Sequence, residues 1–262
     1  MIEVHNKFKL SGTGLHTLRL FLILVISQMS VCRGYSQIPT PALLISHLTG
    51  DFYVYTTYGM YKNKPVPANS MYMITSNGVV LFDTPWDSTQ FQPLLDSIKA
   101  KHGKDVVLCI STHFHGDRTA GLEYYRQKGI KTFTTEKTDE LSKKNGNKRA
   151  EYLIYEDTVF KVGEHSFQTY YGGPGHSPDN IVIWVPVEKI LYGGCLVKSA
   201  EADDLGYLGD ANVKQWSYTI KNIQQRFINP NYIIPGHDDW SGKKALMHTL
   251  DLVNQYNAGI HN

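Results

Sequence analysis

Cysteine is scarce in this chain, which has only 3 among its 262 residues. A fold held together by a disulfide framework is therefore excluded, because such folds need several cysteine pairs. Glycine (22) and proline (11) are close to average, and no fixed-period repeat or low-complexity tract is present. With 42% hydrophobic residues, the chain is expected to bury an ordinary hydrophobic core.

An excess of charge of either sign is also missing. The chain has 26 basic and 24 acidic residues, for a formal net charge of +2. Residues 1–36 hold four of the bases and one of the acids, so residues 37–262 keep 22 bases against 23 acids. A broad basic field of the kind that binds nucleic acid is absent, and we expect no nucleic-acid partner.

A hydrophobic run long enough to span a bilayer is the third absence. The apolar stretch at residues 20–26 is too short, and it follows basic residues at positions 7, 9 and 19. Gly34 and Ser36 then occupy the positions of a small-x-small cleavage site. Residues 1–36 are therefore predicted to be a signal peptide.

Residues 37–262 are predicted to form one domain, a monomer in the periplasm without membrane contact once the signal is removed. A membrane anchor and a lipid on Cys32 are the alternatives. After cleavage only Cys109 and Cys195 remain. Cys109 lies in an apolar stretch and is expected to be buried, whereas Cys195 follows two glycines. A lone exposed thiol in an oxidising compartment is a liability unless a metal holds it.

Strand-like segments followed by helix-like segments occur in the same order in both halves of the chain. This order predicts an α/β fold of two mixed sheets packed face to face with helices outside. Residues 76–78 (Ser-Asn-Gly) predict a tight hairpin, and residues 58–67 read as a polar and aromatic loop. Residues 119–128 predict one helix, and Asp210 is expected to cap a later one.

Metal-binding residue types are densest at residues 113–117 (His-Phe-His-Gly-Asp), directly after the apolar stretch at residues 106–110. Imidazole suits zinc, and a carboxylate suits a second ion close by. Three further donors stand beside glycine or proline in the same way: His176, Cys195 and His237. Glycine lets a loop bring the next side chain into a crowded cleft. Each donor alone is a weak signal, but their shared context favours a metal site.

These motifs, taken in order, resemble the metallo-β-lactamase superfamily, and in particular the class B enzymes of subclass one, which bind two zinc ions. The motifs are HxHxD at residues 113–117, GHSPDN at residues 175–180, GGC at residues 193–195 and PGH at residues 235–237. The resemblance covers residues 52–237 and the helix after them. Arg118 and Cys195 separate the chain from lactonase-, glyoxalase- and nuclease-like relatives, which usually carry histidine and a bridging aspartate instead.

The resemblance implies a four-layer αββα sandwich and two zinc ions per chain. It assigns the first zinc to three histidines, His113, His115 and His176. It assigns the second zinc to a mixed set, Asp117, Cys195 and His237. It further implies hydrolysis of the β-lactam amide bond of penicillins, cephalosporins and carbapenems by a metal-bound hydroxide, without an acyl-enzyme, and hence antibiotic resistance.

The resemblance also suggests roles for residues around the metals. Lys198 would pair with the carboxylate of the antibiotic, Asp117 would orient the nucleophile, and Arg118 would hydrogen-bond to ligands of the second zinc. Met60 and Tyr61 would give apolar contact from a mobile hairpin over the substrate.

One position departs from the family pattern. Tyr207 stands where the family commonly places an asparagine near the substrate carbonyl. Tyrosine can donate a hydrogen bond there, so Tyr207 is predicted to contact substrate, and its effect on the substrate profile stays open. The remaining alternatives are a related hydrolase of a lactone, thioester or phosphodiester, an exported zinc-binding protein, and a thiol or disulfide protein.

Overall fold

Two mixed β-sheets form the centre of the protein in a computed structural model, which describes residues 43–259. The predicted signal peptide at residues 1–36 lies outside the described residues. The first sheet has seven strands in chain order. They are β1 (Leu44–Thr49), β2 (Phe52–Tyr61), β3 (Lys64–Thr75), β4 (Gly78–Phe82), β5 (Val106–Ile110), β6 (Lys131–Thr135) and β7 (Tyr152–Ile154). Strands β1 to β4 are antiparallel, and β4 to β7 are parallel.

The second sheet has five strands in the order β12-β11-β10-β9-β8. They are β8 (Val159–Val162), β9 (His165–Tyr170), β10 (Val182–Val185), β11 (Ile190–Gly194) and β12 (Tyr232–Pro235). Only β11 and β12 are parallel among these five strands. Their C-terminal ends therefore lie at the same edge of the sheet.

Six α-helices occur among residues 43–259. They are α1 (Phe91–His102), α2 (Gly116–Thr119), α3 (Leu122–Gln127), α4 (Glu136–Asn145), α5 (Val213–Arg226) and α6 (Ala245–Asn257). In this part of the chain no helix is both long and apolar enough to cross a membrane.

Apolar residues on both faces of the sheets hold the layers together. In β5, Leu108 and Ile110 pack in the core between the two sheets, whereas Cys109 packs with Leu94 of α1 on the outer face. Strands buried on both faces read as continuous hydrophobic runs, which explains the apolar stretch in the sequence. Trp216 of α5 covers the outer face of the second sheet. The two-sheet, helix-flanked architecture is the one that the sequence predicted.

The local sequence pattern at residues 58–67 predicted a loop, and that prediction is wrong, whereas the hairpin implied by the family resemblance is present. Strands β2 and β3 pair as far as Tyr61 and Lys64, and the turn between them consists of Lys62 and Asn63. Both turn residues have positive φ, 49° and 62°, as a tight hairpin turn requires. The predicted loop is therefore a long β-hairpin.

Two helix predictions are also wrong in detail. The helix predicted at residues 119–128 is interrupted at Gly121, because the backbone N–H of Gly121 donates to Thr84 Oγ1 at 2.9 Å. The cap of α5 is Asn212, whose side chain accepts from the N–H of Gln215. Asp210, the expected cap, has a different partner.

Candidate metal centre

The six predicted metal ligands lie close to strand ends, five of them on loops and Asp117 in the first turn of α2. Five of them follow the C-terminal ends of strands: His113, His115 and Asp117 after β5, Cys195 after β11 and His237 after β12. His176 lies on the connection between β9 and β10. The fold therefore brings together donors that are far apart in sequence.

Local contacts shape these loops. Asn180 closes the loop around His176, because its side chain accepts from the N–H of Ser177 at 2.9 Å and donates to Gly173 O at 2.9 Å. A Cβ on Gly236 would lie 2.5 Å from the backbone nitrogen of Cys195. Glycine is therefore required before His237 if the last two loops are to touch.

The three histidines form a nitrogen trio. His113 Nε2 and His115 Nδ1 are 3.1 Å apart, and His115 Nδ1 and His176 Nε2 are also 3.1 Å apart. Adjacent ligands of a tetrahedral zinc lie roughly 3.3 Å apart when zinc–nitrogen bonds are about 2.0–2.1 Å long. Burial holds the pKa values of His113 and His176 well below the usual range, so neutral rings are favoured. The trio fits a zinc ion.

Asp210 sets the tautomer of His115. His115 Nε2 lies 2.9 Å from Asp210 Oδ2, so a neutral ring carries its hydrogen on Nε2 and its lone pair on Nδ1. Nδ1 is the atom that faces the other two histidines. Sequence reasoning missed this residue, because its position before a helix indicated only a cap.

The second trio combines oxygen, sulfur and nitrogen. Cys195 Sγ lies 3.2 Å from Asp117 Oδ2 and 3.2 Å from His237 Nε2, and the last two atoms are 3.3 Å apart. His237 Nδ1 lies 2.7 Å from Pro67 O, which directs Nε2 toward the trio. This donor set also suits zinc.

The charges of the second trio fit a bound cation. Burial raises the pKa of Asp117, but Arg118 and His237 outweigh burial and hold that pKa well below its usual range. Burial lowers the pKa of His237, yet Cys195 and Asp117 outweigh it and raise the pKa to about 9. In the absence of a metal the anionic ligands therefore attract a proton to His237, and a metal ion would replace that proton.

Arg118 lies directly beneath the second trio. Its Nε donates to Asp117 Oδ2 at 3.0 Å, and its Nη2 donates to Cys195 Sγ at 3.0 Å and to Gly236 O at 2.8 Å. The side chain is fully buried. The sequence-based interpretation expected Arg118 to contact ligands of the second zinc, and its role in binding that metal stays a prediction.

Asp83 supports the same region and was missed as a site residue. It is fully buried and has a φ of 68° directly after β4. Its carboxylate accepts from Thr112 N at 2.6 Å and from the Tyr192 hydroxyl at 2.5 Å. Burial raises its pKa to about 6, although Arg118 opposes this shift. Asp83 thereby fixes the residue that precedes His113.

A cavity of 460 Å³ opens over both trios. Its lining includes three residues with predicted substrate contacts, Tyr61, Lys198 and Tyr207. Lys198 is only 9% exposed, and its Nζ lies 5.4 Å from the ring centroid of Trp216. Met60 lies outside the lining and is half-exposed on the hairpin, and its contact with substrate stays a prediction.

Comparisons with known proteins agree with this geometry. The profile of the metallo-beta-lactamase superfamily matches residues 63–237. A metallo-beta-lactamase type 2 from Elizabethkingia meningoseptica is 44% identical over 217 residues, which are 83% of this chain and 87% of that protein. Metallo-beta-lactamase IND-1 from Chryseobacterium indologenes is 43% identical over 208 residues, 79% of this chain and 87% of that protein.

A solved relative has the same architecture. The crystal structure of metallo-beta-lactamase IND-7 superposes with a TM-score of 0.79 at 42% identity, and the match covers 83% of this chain and 100% of that one. The predicted resemblance and the predicted sandwich fold are both confirmed. Enzymes of this family use zinc, and the two donor trios fit that metal. The chain therefore belongs to the metallo-β-lactamase superfamily.

Proposed function

We propose that this protein hydrolyses the β-lactam amide bond of antibiotics with two zinc ions and so confers resistance. The observation that carries the proposal is the convergence of two donor trios beneath one cavity with a buried lysine on its wall. The names of the relatives support the substrate class.

The first trio, His113, His115 and His176, would hold one zinc, and the second, Asp117, Cys195 and His237, would hold the other. When bound, zinc supplies Lewis acidity and makes water a nucleophile at neutral pH, because it lowers the pKa of water to about 7. An ionised Asp117 can accept a hydrogen bond from that water and orient it.

The position of Cys195 argues against an acyl-enzyme formed on this cysteine. Its sulfur faces Asp117, His237 and Arg118 in a fully buried position, so it is committed to the second donor set. Cys109 is also buried and forms no disulfide with Cys195. These positions do not favour the thiol or disulfide alternative.

Lys198 would bind the substrate carboxylate. Most β-lactam antibiotics carry such an anion, and a partly desolvated ammonium attracts it more strongly than an exposed lysine would. Burial lowers the pKa of Lys198, although Cys195 and Asp117 oppose this shift. Tyr61 would cover the bound substrate from the hairpin, and Met60 would join it if the hairpin closes.

We further propose that the protein acts in the periplasm as a monomer. The basic and apolar pattern of residues 1–36 supports export. Cell fractionation with N-terminal sequencing of the mature protein tests the location, and light scattering tests the oligomeric state. Recovery of the uncleaved chain from the cytoplasm would contradict the first proposal.

The experiment for the function is nitrocefin hydrolysis by the purified protein with zinc, after chelation, and after zinc is restored. We expect turnover that disappears with chelation and returns with the metal. His113→Ala and Cys195→Ser should each lose most of the activity, whereas Tyr218→Phe, a change on the exposed face of α5, should retain it. A zinc-loaded protein that leaves nitrocefin and a penicillin intact but opens a lactone or thioester would overturn the proposal.

A further inference from the structure

Carboxylates outnumber ammonium groups on the wall of the cavity that opens over the two donor trios. Besides the predicted ligand Asp117, the lining includes three further aspartates, Asp203, Asp204 and Asp238. Lys198 is the only lysine or arginine among the described residues that form this lining. The three aspartates lie outside both donor trios, so their charges are not taken up by metal coordination.

The loop that carries Asp203 and Asp204 is anchored on both sides of the pair. His248 Nε2 of α6 lies 2.7 Å from the carbonyl oxygen of Ala202, directly before the pair. Leu205, directly after it, is only 3% exposed and packs in the apolar cluster beneath α5. Both aspartates are themselves exposed, and among residues 43–259 neither takes part in an ion pair. The fold therefore presents two unpaired carboxylates at the cavity.

Asp204 and Lys198 flank the same glycine. The Oδ1 atom of Asp204 accepts from the N–H of Gly206 at 2.7 Å. A Cβ on Gly206 would lie 3.6 Å from Lys198 Nζ, so the ammonium group is next to this turn. Burial lowers the pKa of Lys198, and Asp204 and Asp238 are among the carboxylates that oppose this shift. Negative charge therefore surrounds the group that would bind the antibiotic carboxylate.

The covalent structure of the antibiotics makes this arrangement selective. In cephalosporins and carbapenems the ring carbon that bears the carboxylate is bonded to the ring carbon that bears a variable substituent. A carboxylate bound to Lys198 therefore brings that substituent close to the wall around the lysine. Opposite charges attract and like charges repel at such short range. A positively charged substituent would be held there, and a negatively charged one would be rejected.

We propose that Asp203 and Asp204 make the protein favour β-lactams that carry a positive charge beside the carboxylate. This inference rests on the proposed function and names a substrate class within it, the zwitterionic cephalosporins and carbapenems. Lys198 binds the carboxylate, the two aspartates attract the neighbouring cation, and Asp238 adds negative charge from the loop after β12.

The test uses two cephalosporins that share their acylamino side chain and differ beside the carboxylate. Cephaloridine carries a pyridinium group there, whereas cephalothin carries a neutral acetoxy group. Because their intrinsic reactivities differ, the decisive quantity is the change in their kcat/KM ratio upon substitution. In the double variant Asp203→Asn, Asp204→Asn the ratio of cephaloridine to cephalothin should fall about 3–10-fold, mainly through KM. Asparagine at position 204 keeps an oxygen for the N–H of Gly206.

A matched control removes the same amount of charge elsewhere. The double variant Glu140→Gln, Asp251→Asn neutralises two exposed carboxylates, on α4 and α6, that do not line the cavity. Its kcat/KM ratio should equal that of the wild-type protein. Added salt should lower the wild-type ratio toward that of the Asp203→Asn, Asp204→Asn variant, because exposed charges are screened.

The outcomes separate the inference from the proposed function. Turnover of both cephalosporins with the same ratio in the wild-type protein and in the Asp203→Asn, Asp204→Asn variant would overturn the inference and leave the proposed function standing. An equal fall in the control variant would also overturn it, because net charge would then explain the effect. A zinc-loaded wild-type protein that opens neither cephalosporin would overturn the proposed function, and the inference with it.

Discussion

Arg118 donates two hydrogen bonds to the sulfur of Cys195, from Nε at 3.2 Å and from Nη2 at 3.0 Å. Both side chains are buried, at 0% and 1% exposure. A guanidinium in a dry site attracts a negatively charged neighbour strongly, because the attraction between opposite charges is strong where the dielectric constant is low. Arg118 therefore supplies a permanent positive charge directly beside the second donor trio.

Arg118→Lys is expected to weaken zinc binding at the second trio. Lysine keeps the charge but cannot direct planar donors to Asp117, Cys195 and Gly236 together. We expect zinc affinity to fall about 10–100-fold, and the free energy of unfolding of the metal-free protein to fall by about 3 kcal/mol. Chelator competition and urea denaturation measure the two effects. Wild-type values for both would contradict the account of Arg118.

Lys198→Ala is expected to raise KM for substrates that carry a carboxylate. A hydrogen bond to a charged group contributes about 1.5–3 kcal/mol, which corresponds to a rise of about 10–100-fold in KM. The control is the same antibiotic as its methyl ester, whose hydrolysis should respond little to the substitution. An equal rise in KM for the free acid and for the methyl ester would show that Lys198 does not bind the carboxylate.

Glu164→Gln is expected to change how stability depends on pH. The Glu164 carboxylate accepts from the N–H of Ser76 at 2.8 Å and 3.1 Å, and hydrogen bonds from Ser76 lower its pKa from 4.5 to about 2. A carboxyl with a lowered folded-state pKa stabilises the fold above its unfolded pKa, and this contribution is lost as the pH falls through the folded pKa.

The free energy of unfolding of the wild-type protein should therefore exceed that of Glu164→Gln at pH 7, and the difference should shrink as the pH falls from 4.5 to about 2. Urea denaturation of both metal-free proteins across this range measures the difference. Because the carboxylate is exposed, the effect should be small and should weaken in high salt. A difference in the free energy of unfolding that grows as the pH falls would contradict the prediction.

Gly59→Ala is expected to disturb the β2–β3 hairpin near its turn, where Gly59 pairs with Val66. A Cβ at this position would lie 2.2 Å from Cδ2 of Trp86, so the indole must move. Overpacking of this kind costs about 1–3 kcal/mol of stability. Thermal denaturation measures the loss. In the double variant Gly59→Ala, Trp86→Ala the added methyl group has room, so its loss of stability should be smaller than the sum of the two single losses. Equal values for the double variant and that sum would contradict the contact between Gly59 and Trp86.

The metal ligands could be predicted from the sequence because each lies in a short motif at the end of an apolar strand. The packing of the two sheets brings these strand ends together, so that the six donor atoms lie close to one another. Their roles in binding zinc stay predictions until metal is measured.

Asp210 and Asp83, which support the site, could not be predicted in the same way. The contact of Asp210 with His115 joins positions 95 residues apart, and no local pattern encodes it. In the sequence, Asp83 likewise looks like the polar end of a strand. Only the structure shows that its carboxylate accepts a hydrogen bond from the N–H of Thr112 and so fixes that residue. Asp210 and Asn212 are both good caps, so sequence alone could not choose between them.

The local sequence did not predict the long hairpin, which only the family resemblance implied, because the segment lacks clear alternation and contains Pro65 and Pro67. Strand β4 pairs with β3 only from Met71 to Thr75, so these prolines lie beyond the part of β3 that β4 covers. A missing N–H is tolerated at such an edge. Pairing with β2 therefore makes this segment a strand although its local sequence only weakly favours one.

Metal content measured together with turnover on a single preparation tests the central claim most directly. Elemental analysis of the zinc-loaded protein should give two zinc ions per chain, and the same sample should open nitrocefin, with both properties lost on chelation. A preparation that binds no zinc, or one that binds two ions and leaves every β-lactam intact, would contradict the account.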